Sequence, residues 1–151
     1  MNLKELHTVY FLGVGGIGMS AIARYFKSLG CSVVGYDKTK TILTEKLEAE
    51  GVVIHYNEDI NQIPAAVKNS EEGTLVVYTP AIPEDNKELL YLQKEGVRLY
   101  KRSEVLGLIS ESYFTIAIAG THGKTTTTSF VSTTTVSLLS FDSTTTSSAF
   151  A

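Results

Sequence analysis

The chain has 151 residues, 43% of them hydrophobic and 19% charged, with a formal net charge of −3 from 13 basic and 16 acidic side chains. That is room for one domain with its own core, or for one domain and part of a second. The mild acidity gives no electrostatic reason to expect nucleic acid or an anionic membrane as a partner, and no apolar run approaches the roughly 20 residues that span a bilayer.

The first residues, Met1–His7, lack the apolar stretch of a secretion signal. A single cysteine, Cys31, has no partner for an internal disulfide, so the chain reads as a cytoplasmic protein. Thr8–Leu12 is a short run of β-branched, aromatic and aliphatic residues, predicted as a strand, and glycines follow it at once. Ile22, Tyr25, Phe26 and Leu29 recur at helical spacing, which predicts a helix over Ile17–Leu29 that Gly30 closes. Ser32–Tyr36 is the second strand, Ile42–Glu50 a helix ending before Gly51, and Val52–His55 the third strand. The loop Ser70–Gly73 leads into a fourth strand, Leu75–Tyr78. Asp85–Glu95 is predicted as a helix stopped by Gly96, and Val97–Tyr100 as a short strand. A helix opens at Ser103 and Glu104 and runs through Ile109, and Phe114–Ala119 is a strongly apolar strand. Strands and helices in alternation imply an α/β fold, a parallel sheet with helices on both faces.

Two glycine-rich turns carry the chemistry. Gly13-Val14-Gly15-Gly16-Ile17-Gly18 places glycines at the G-x-G-x-x-G positions 13, 15 and 18, between a predicted strand and a predicted helix. In that context Gly13 makes the tight turn, Gly15 lets a diphosphate approach the backbone, and Gly18 permits close packing of helix on strand. The free N–H groups of the helix start face the anion, helped by the helix dipole. Asp37 ends the second strand, 19 residues beyond Gly18, where a carboxylate can bond a ribose hydroxyl. The first domain is therefore read as Rossmann-like and nucleotide-binding. The pattern leaves open which nucleotide binds: an NAD-dependent oxidoreductase or a non-enzymatic nucleotide-binding module would use the same residues.

Ile116–Thr126 is a strand followed by a second such turn, with Gly123-Lys124-Thr125 at its end. Backbone N–H groups of such a turn cradle phosphates, Lys124 meets the β/γ oxygens, and the Thr125 hydroxyl can join a Mg²⁺ shell. An ordinary P-loop has a glycine five residues before Gly123, where Ile118 stands. The extra glycine is Gly120 instead.

Gly120-Thr121-His122-Gly123-Lys124-Thr125-Thr126 resembles the ATP loop of the Mur ligases, whose variant is Gly-Thr-x-Gly-Lys-Thr. Phe11–Ser20 is similar to the N-terminal signature of that family, and Val77–Ile82 and Lys101–Leu106 fall where it carries similar strings. Thr79-Pro80 replaces the Ser-Ser often found there. The resemblance covers residues 1 to about 129. It implies a UDP-sugar-binding Rossmann-like domain over 1–112 and, over 113–151, the opening of a central ATP-binding domain, with 130–151 standing apart. It further implies ATP-dependent ligation of L-alanine to UDP-N-acetylmuramate through an acyl phosphate, with Mg²⁺ as cofactor. Gly13, Gly15, Gly16, Ile17, Gly18, Asp37, His55, Thr79, Ala81 and Arg102 would contact the sugar nucleotide. Gly120, Thr121, His122, Gly123, Lys124, Thr125 and Thr126 would hold ATP, with Lys124 and Thr125 catalytic and Thr125 on the metal.

Other polar residues read more simply. His55 is a substrate contact or a polar strand end, His7 is solvated, and Asp59, Glu71, Glu72, Glu84 and Asp85 are solvated charges or caps. Cys31 reads as a small buried residue. From Thr125 to Ala151, 17 of 27 residues are Ser or Thr and the only charge is Asp142. Thr133–Thr135 and Thr144–Thr146 form helices poorly. This segment reads as a low-complexity tail, or as a sequence foreign to the chain that precedes it.

Overall fold

The computed structural model describes residues 3–113, 121–123, 126, 128 and 129, and the chain divides into two units, Met1–Tyr113 and Phe114–Ala151. Within the first unit, β1 (Thr8–Leu12), β2 (Ser32–Tyr36), β3 (Val53–His55), β4 (Thr74–Tyr78) and β5 (Leu99–Lys101) form one parallel sheet in the order β3-β2-β1-β4-β5. The helices between and after them are α1 (Ile17–Ser28), α2 (Ile42–Ala49), α3 (Ala65–Lys68), α4 (Lys87–Lys94) and α5 (Arg102–Glu111). The sheet is parallel because each return to its starting edge passes through a helical crossover. The predicted strand Phe114–Ala119 lies outside the described residues.

Alternation along the central strand sorts the core. Val9 and Phe11 face one side, against Ile22, Ala23 and Phe26 of α1, Leu47 of α2 and Val105 of α5. Tyr10 and Leu12 face the other, against Val67 of α3 and Leu89 and Leu92 of α4. All four β1 residues are fully buried, as a strand covered on both faces must be.

Four helices end by one device, α1, α2 and α4 with glycine at the turn and α3 with Ser70, at φ +50°, in its place. After α1, the Cys31 N–H donates to the Phe26 carbonyl at 3.1 Å while Gly30 turns the chain at φ +85°. That is a Schellman closure, with glycine where a side chain would be strained. Val52 to Leu47 closes α2 and Val97 to Leu92 closes α4 in the same way, both at 3.0 Å. The last of these moves an expected boundary. Val97 is used in closing α4, so β5 starts at Leu99 and not at Val97. Likewise α4 starts at Lys87 rather than Asp85, because the Asn86 side chain caps it by accepting from Glu88 N–H at 3.1 Å and Leu89 N–H at 3.0 Å. Residues 56–69 carry no clear periodicity, and the structure folds them into a 3-10 turn, Ile60–Gln62, and the single turn of α3. None of the described helices is long and apolar enough to cross a membrane.

Phe26 is fully buried, whereas Leu90 is about half exposed. Phe26→Ala is expected to lower unfolding free energy by about 3–5 kcal/mol and Leu90→Ala by no more than about 0.5 kcal/mol, measured by urea denaturation.

Candidate functional site

Leu12, Tyr36 and Tyr78 are level partners in the sheet, so β1, β2 and β4 all end at the same height. The chain leaves β1 toward one side and β4 toward the other, which opens a crevice at the switch point. There the structure forms a cleft of about 380 Å³, floored by Gly13, Gly16 and Met19 after β1. Tyr36, Asp37 and Lys38 line it from the end of β2, Glu58 from the loop after β3, and Thr79, Ala81, Ile82 and Pro83 from the loop after β4.

The glycine loop is built as a tight turn. Gly13 has φ +86°, and a Cβ placed on it would come within 2.5 Å of Thr79 Cγ2. Gly13 and Val14 N–H both donate to the Tyr36 carbonyl, at 2.8 and 3.1 Å, tying the loop to β2. Gly15 N–H donates to Asp37 Oδ2 at 2.7 Å, and Thr39 N–H to Asp37 Oδ1 at 3.1 Å. Asp37 therefore lines the cleft and also braces the loop. Gly16 is the N-cap of α1, and Ile17 follows as its first residue, 86% exposed. A Cβ at Gly18 would lie 2.6 Å from Arg102 Nη1, so the close neighbour that this glycine admits is the guanidinium from α5, not the adjoining strand. Arg102 thus lies over the first turn of α1, where backbone N–H groups have no intrahelical acceptor and the dipole favours an anion.

Of the residues expected at the sugar-nucleotide site, the structure gathers Gly13, Gly16, Asp37, Thr79 and Ala81 on the cleft lining, with Gly15, Ile17, Gly18 and Arg102 at its α1 end. His55 is not on that lining. Its imidazole turns inward, where Nε2 donates to Glu88 Oε1 at 2.9 Å, and Nδ1 is buried with no partner among the described residues. Glu88 is fully buried and also accepts from the Tyr10 hydroxyl at 2.5 Å and from Asp59 N–H at 2.9 Å. A carboxylate is tolerable there only because these donors and the start of α4 replace its water. Burial first, and the Glu88 carboxylate second, raise the Tyr10 phenol well above its ordinary value. Burial also raises Tyr36, with the nearby carboxylates of Glu58 and Glu88 adding to it.

Met19, Tyr36, Lys38, Glu58, Ile82 and Pro83 are lining residues that sequence reasoning did not single out. Tyr36 and Lys38 flank Asp37, so the strand-end argument that found Asp37 could have reached them. Glu58 sits in a loop with no motif, and no signal marked it. In the second glycine turn, Thr121, His122, Gly123 and Thr126 are exposed, with Gly123 at φ +74° and the His122 Nδ1 atom 3.1 Å from Thr121 Oγ1. Gly120, Lys124 and Thr125 lie outside the described residues.

Residues 8–114 match the model of the Mur ligase family, described as its catalytic domain. The chain belongs to the Mur ligase family. Among curated Mur ligases, it is 49% identical over 130 residues to the UDP-N-acetylmuramate–L-alanine ligase of Christiangramia forsetii, covering 86% of this chain and 29% of that one. It is 53% identical over 129 residues to the enzyme of the same name from Cytophaga hutchinsonii, covering 85% and 28%. The chain thus spans under a third of the length of these relatives. Among solved structures, the UDP-N-acetylmuramate–alanine ligase of Thermotoga maritima matches with a TM-score of 0.67 at 33% identity, over 83% of this chain and 28% of that one. A murein peptide ligase from Psychrobacter arcticus matches at 0.68 and 30%, over 81% and 25%. The five-stranded parallel sheet is the fold that these Mur ligases share with this chain.

Two outcomes follow from the geometry of this Mur ligase unit. Gly13→Ala is expected to cost about 1–3 kcal/mol of stability, from the positive φ and the Thr79 contact. Gly18→Ala meets only the flexible end of Arg102 and is expected to cost under about 1 kcal/mol, both read by urea denaturation. Tyr10 sets a pH dependence. Below about pH 10 folded and unfolded chains both hold the phenol proton; above it the unfolded chain loses the proton while folded Tyr10 keeps it, so stability falls as pH rises. Tyr10→Phe is expected to lower stability by about 1–3 kcal/mol at about pH 7 and to make the alkaline decline shallower, in urea titrations at about pH 7 and about pH 11.

Proposed function

We propose that the Met1–Tyr113 unit holds UDP-N-acetylmuramate by its UDP end, as the sugar-nucleotide-binding part of a cytoplasmic, ATP-dependent ligase of peptidoglycan synthesis. The observation that carries this reading is the cleft at the switch point, where the N-terminus of α1 and Arg102 converge on the glycine loop. The names of the relatives support the choice of sugar nucleotide. In this reading the domain boundary falls at 112/113, with 113–151 opening the ATP domain.

The diphosphate would lie over Gly16, Ile17 and Gly18, drawn by their N–H groups and the Arg102 guanidinium. Gly13 and Gly15 shape the turn beneath it, Thr79 and Ala81 close the opposite wall, and Asp37 lies toward the ribose. His55, turned onto Glu88, would act on the ligand only through the loop that follows it. Gly120, Thr121, His122, Gly123 and Thr126 would cradle the phosphates of ATP, and the left-handed Gly123 suits such a turn. Lys124 would meet the β/γ oxygens. Thr125 would hold Mg²⁺ with ligands from elsewhere in the whole protein, a charge that offsets the phosphoryl oxygens when bound.

In the whole enzyme, the lactyl carboxylate would attack the γ-phosphorus of ATP, releasing ADP and leaving an acyl phosphate. The amine of L-alanine would then attack the acyl carbon, forming the amide as inorganic phosphate leaves. This chain's part is to hold one reactant still while the rest aligns. The 151-residue chain alone is read as inactive.

Calorimetric titration with UDP-N-acetylmuramate, NAD and ATP separates this from an oxidoreductase or a sensing module. Binding of the sugar nucleotide without binding of NAD is expected. Tight NAD binding with no response to the sugar nucleotide would overturn the reading. Phosphate release from ATP by the chain alone, with UDP-N-acetylmuramate and L-alanine present, is expected to be absent.

A further inference from the structure

The two carboxylates of the cleft, Asp37 and Glu58, are held in different ways. Each oxygen of Asp37 already accepts a backbone N–H of its own neighbourhood, from Gly15 and Thr39. Glu58 is exposed, on the loop that follows β3, and the first turn of α4 clasps that loop in both directions. Lys87 N–H donates to Glu58 Oε2 at 3.1 Å, and Asp59 N–H donates to Glu88 Oε1 at 2.9 Å. Lys87 is the first residue of α4, so its N–H has no acceptor within the helix, and the helix end favours a negative charge beside it. Glu88 is anchored in turn, fully buried beneath Tyr10 and His55. A solvent-facing carboxylate is thereby fixed to a buried one across two residues of helix.

A fixed carboxylate in a ligand cleft repels phosphate and accepts hydrogen bonds. We propose that Glu58 is a specificity residue for the nucleoside end of the ligand, accepting a hydrogen bond from a neutral donor there, and that Lys87 N–H and Glu88 position it. The donor is the ribose 2′-hydroxyl or the imide N–H of a uracil. The same charge directs the phosphates away, toward Arg102 and α1. This inference rests on the UDP reading above.

The test is calorimetry of the 151-residue chain with UDP, 2′-deoxy-UDP and N3-methyl-UDP. Glu58→Ala is expected to weaken UDP about tenfold, the scale of one hydrogen bond to a charged group. That loss is expected to vanish for whichever analogue lacks the matching donor, which tells ribose from base. Lys87→Pro removes the N–H that Glu58 accepts together with the lysine side chain, so it is compared with Lys87→Ala, which removes the side chain and keeps the N–H. Proline suits a first helical position, and Asn86 before it is already extended at ψ 126°, so the thermal melt is expected to be unchanged. Relative to Lys87→Ala, Lys87→Pro is expected to weaken UDP while Glu58 is present and to make no difference once Glu58 is Ala. Equal or tighter UDP binding by Glu58→Ala, or an equal loss for all three ligands, would overturn the specificity role. Additive effects of the two substitutions would overturn the positioning role. A wild-type chain that binds none of the three ligands overturns the UDP reading itself, and this inference with it.

Discussion

The register of β1 against its two neighbours is the constraint from which the rest follows. Leu12 stands level with Tyr36 on one side and Tyr78 on the other. A one-residue slip of β1 would turn Val9 and Phe11 to the face that Tyr10 and Leu12 now fill. It would also separate the Tyr36 carbonyl from the two N–H groups that hold the glycine loop. Core and cleft therefore share one determinant. The hydrophobic pattern of five residues fixes the height at which three loops emerge, and their convergence makes the crevice.

Charge is arranged along that crevice rather than summed over the molecule. The chain is net acidic, yet the start of α1 beside the cleft carries backbone N–H groups and the Arg102 guanidinium, while Asp37 and Glu58 line the cleft beside Lys38. The start of α1 relies on backbone as much as on side chains, so it needs no basic patch. Behind Glu58, the burial of Glu88 makes the loop after β3 part of the frame. That segment has no repeating pattern, yet side chains far apart in the sequence hold it.

Much of the fold was legible because glycine marks where α1, α2 and α4 stop, and because strand and helix periods differ. Gly30, Gly51 and Gly96 were each read as ends, and each sits where a helix closes. The boundaries that moved did so for local reasons that spacing does not reveal: the Asn86 side chain took over the start of α4, and Val97 its end. At the site, the glycine loop and Asp37 were visible because their residue types have few other uses in that order. Glu88 was not. A glutamate in the first turn of an amphipathic helix looks solvated, and only the approach of Tyr10, 78 residues earlier in the chain, shows that it is internal. His55 was legible as a polar strand end; its direction depended on where Glu88 lay.

The helix closures at the base of the sheet have an evolutionary consequence. From α1 to β2 and from α2 to β3 only three residues intervene, and from α4 to β5 only four, all held by the same backbone geometry. An insertion there would push a strand out of step with its neighbours. The connections at the opposite end of the sheet, after β2, β3 and β4, are longer and bear on the cleft. A change of length at the cleft rim can thus alter what the unit meets without moving a strand, whereas the same change in the α1–β2, α2–β3 or α4–β5 connection would move one.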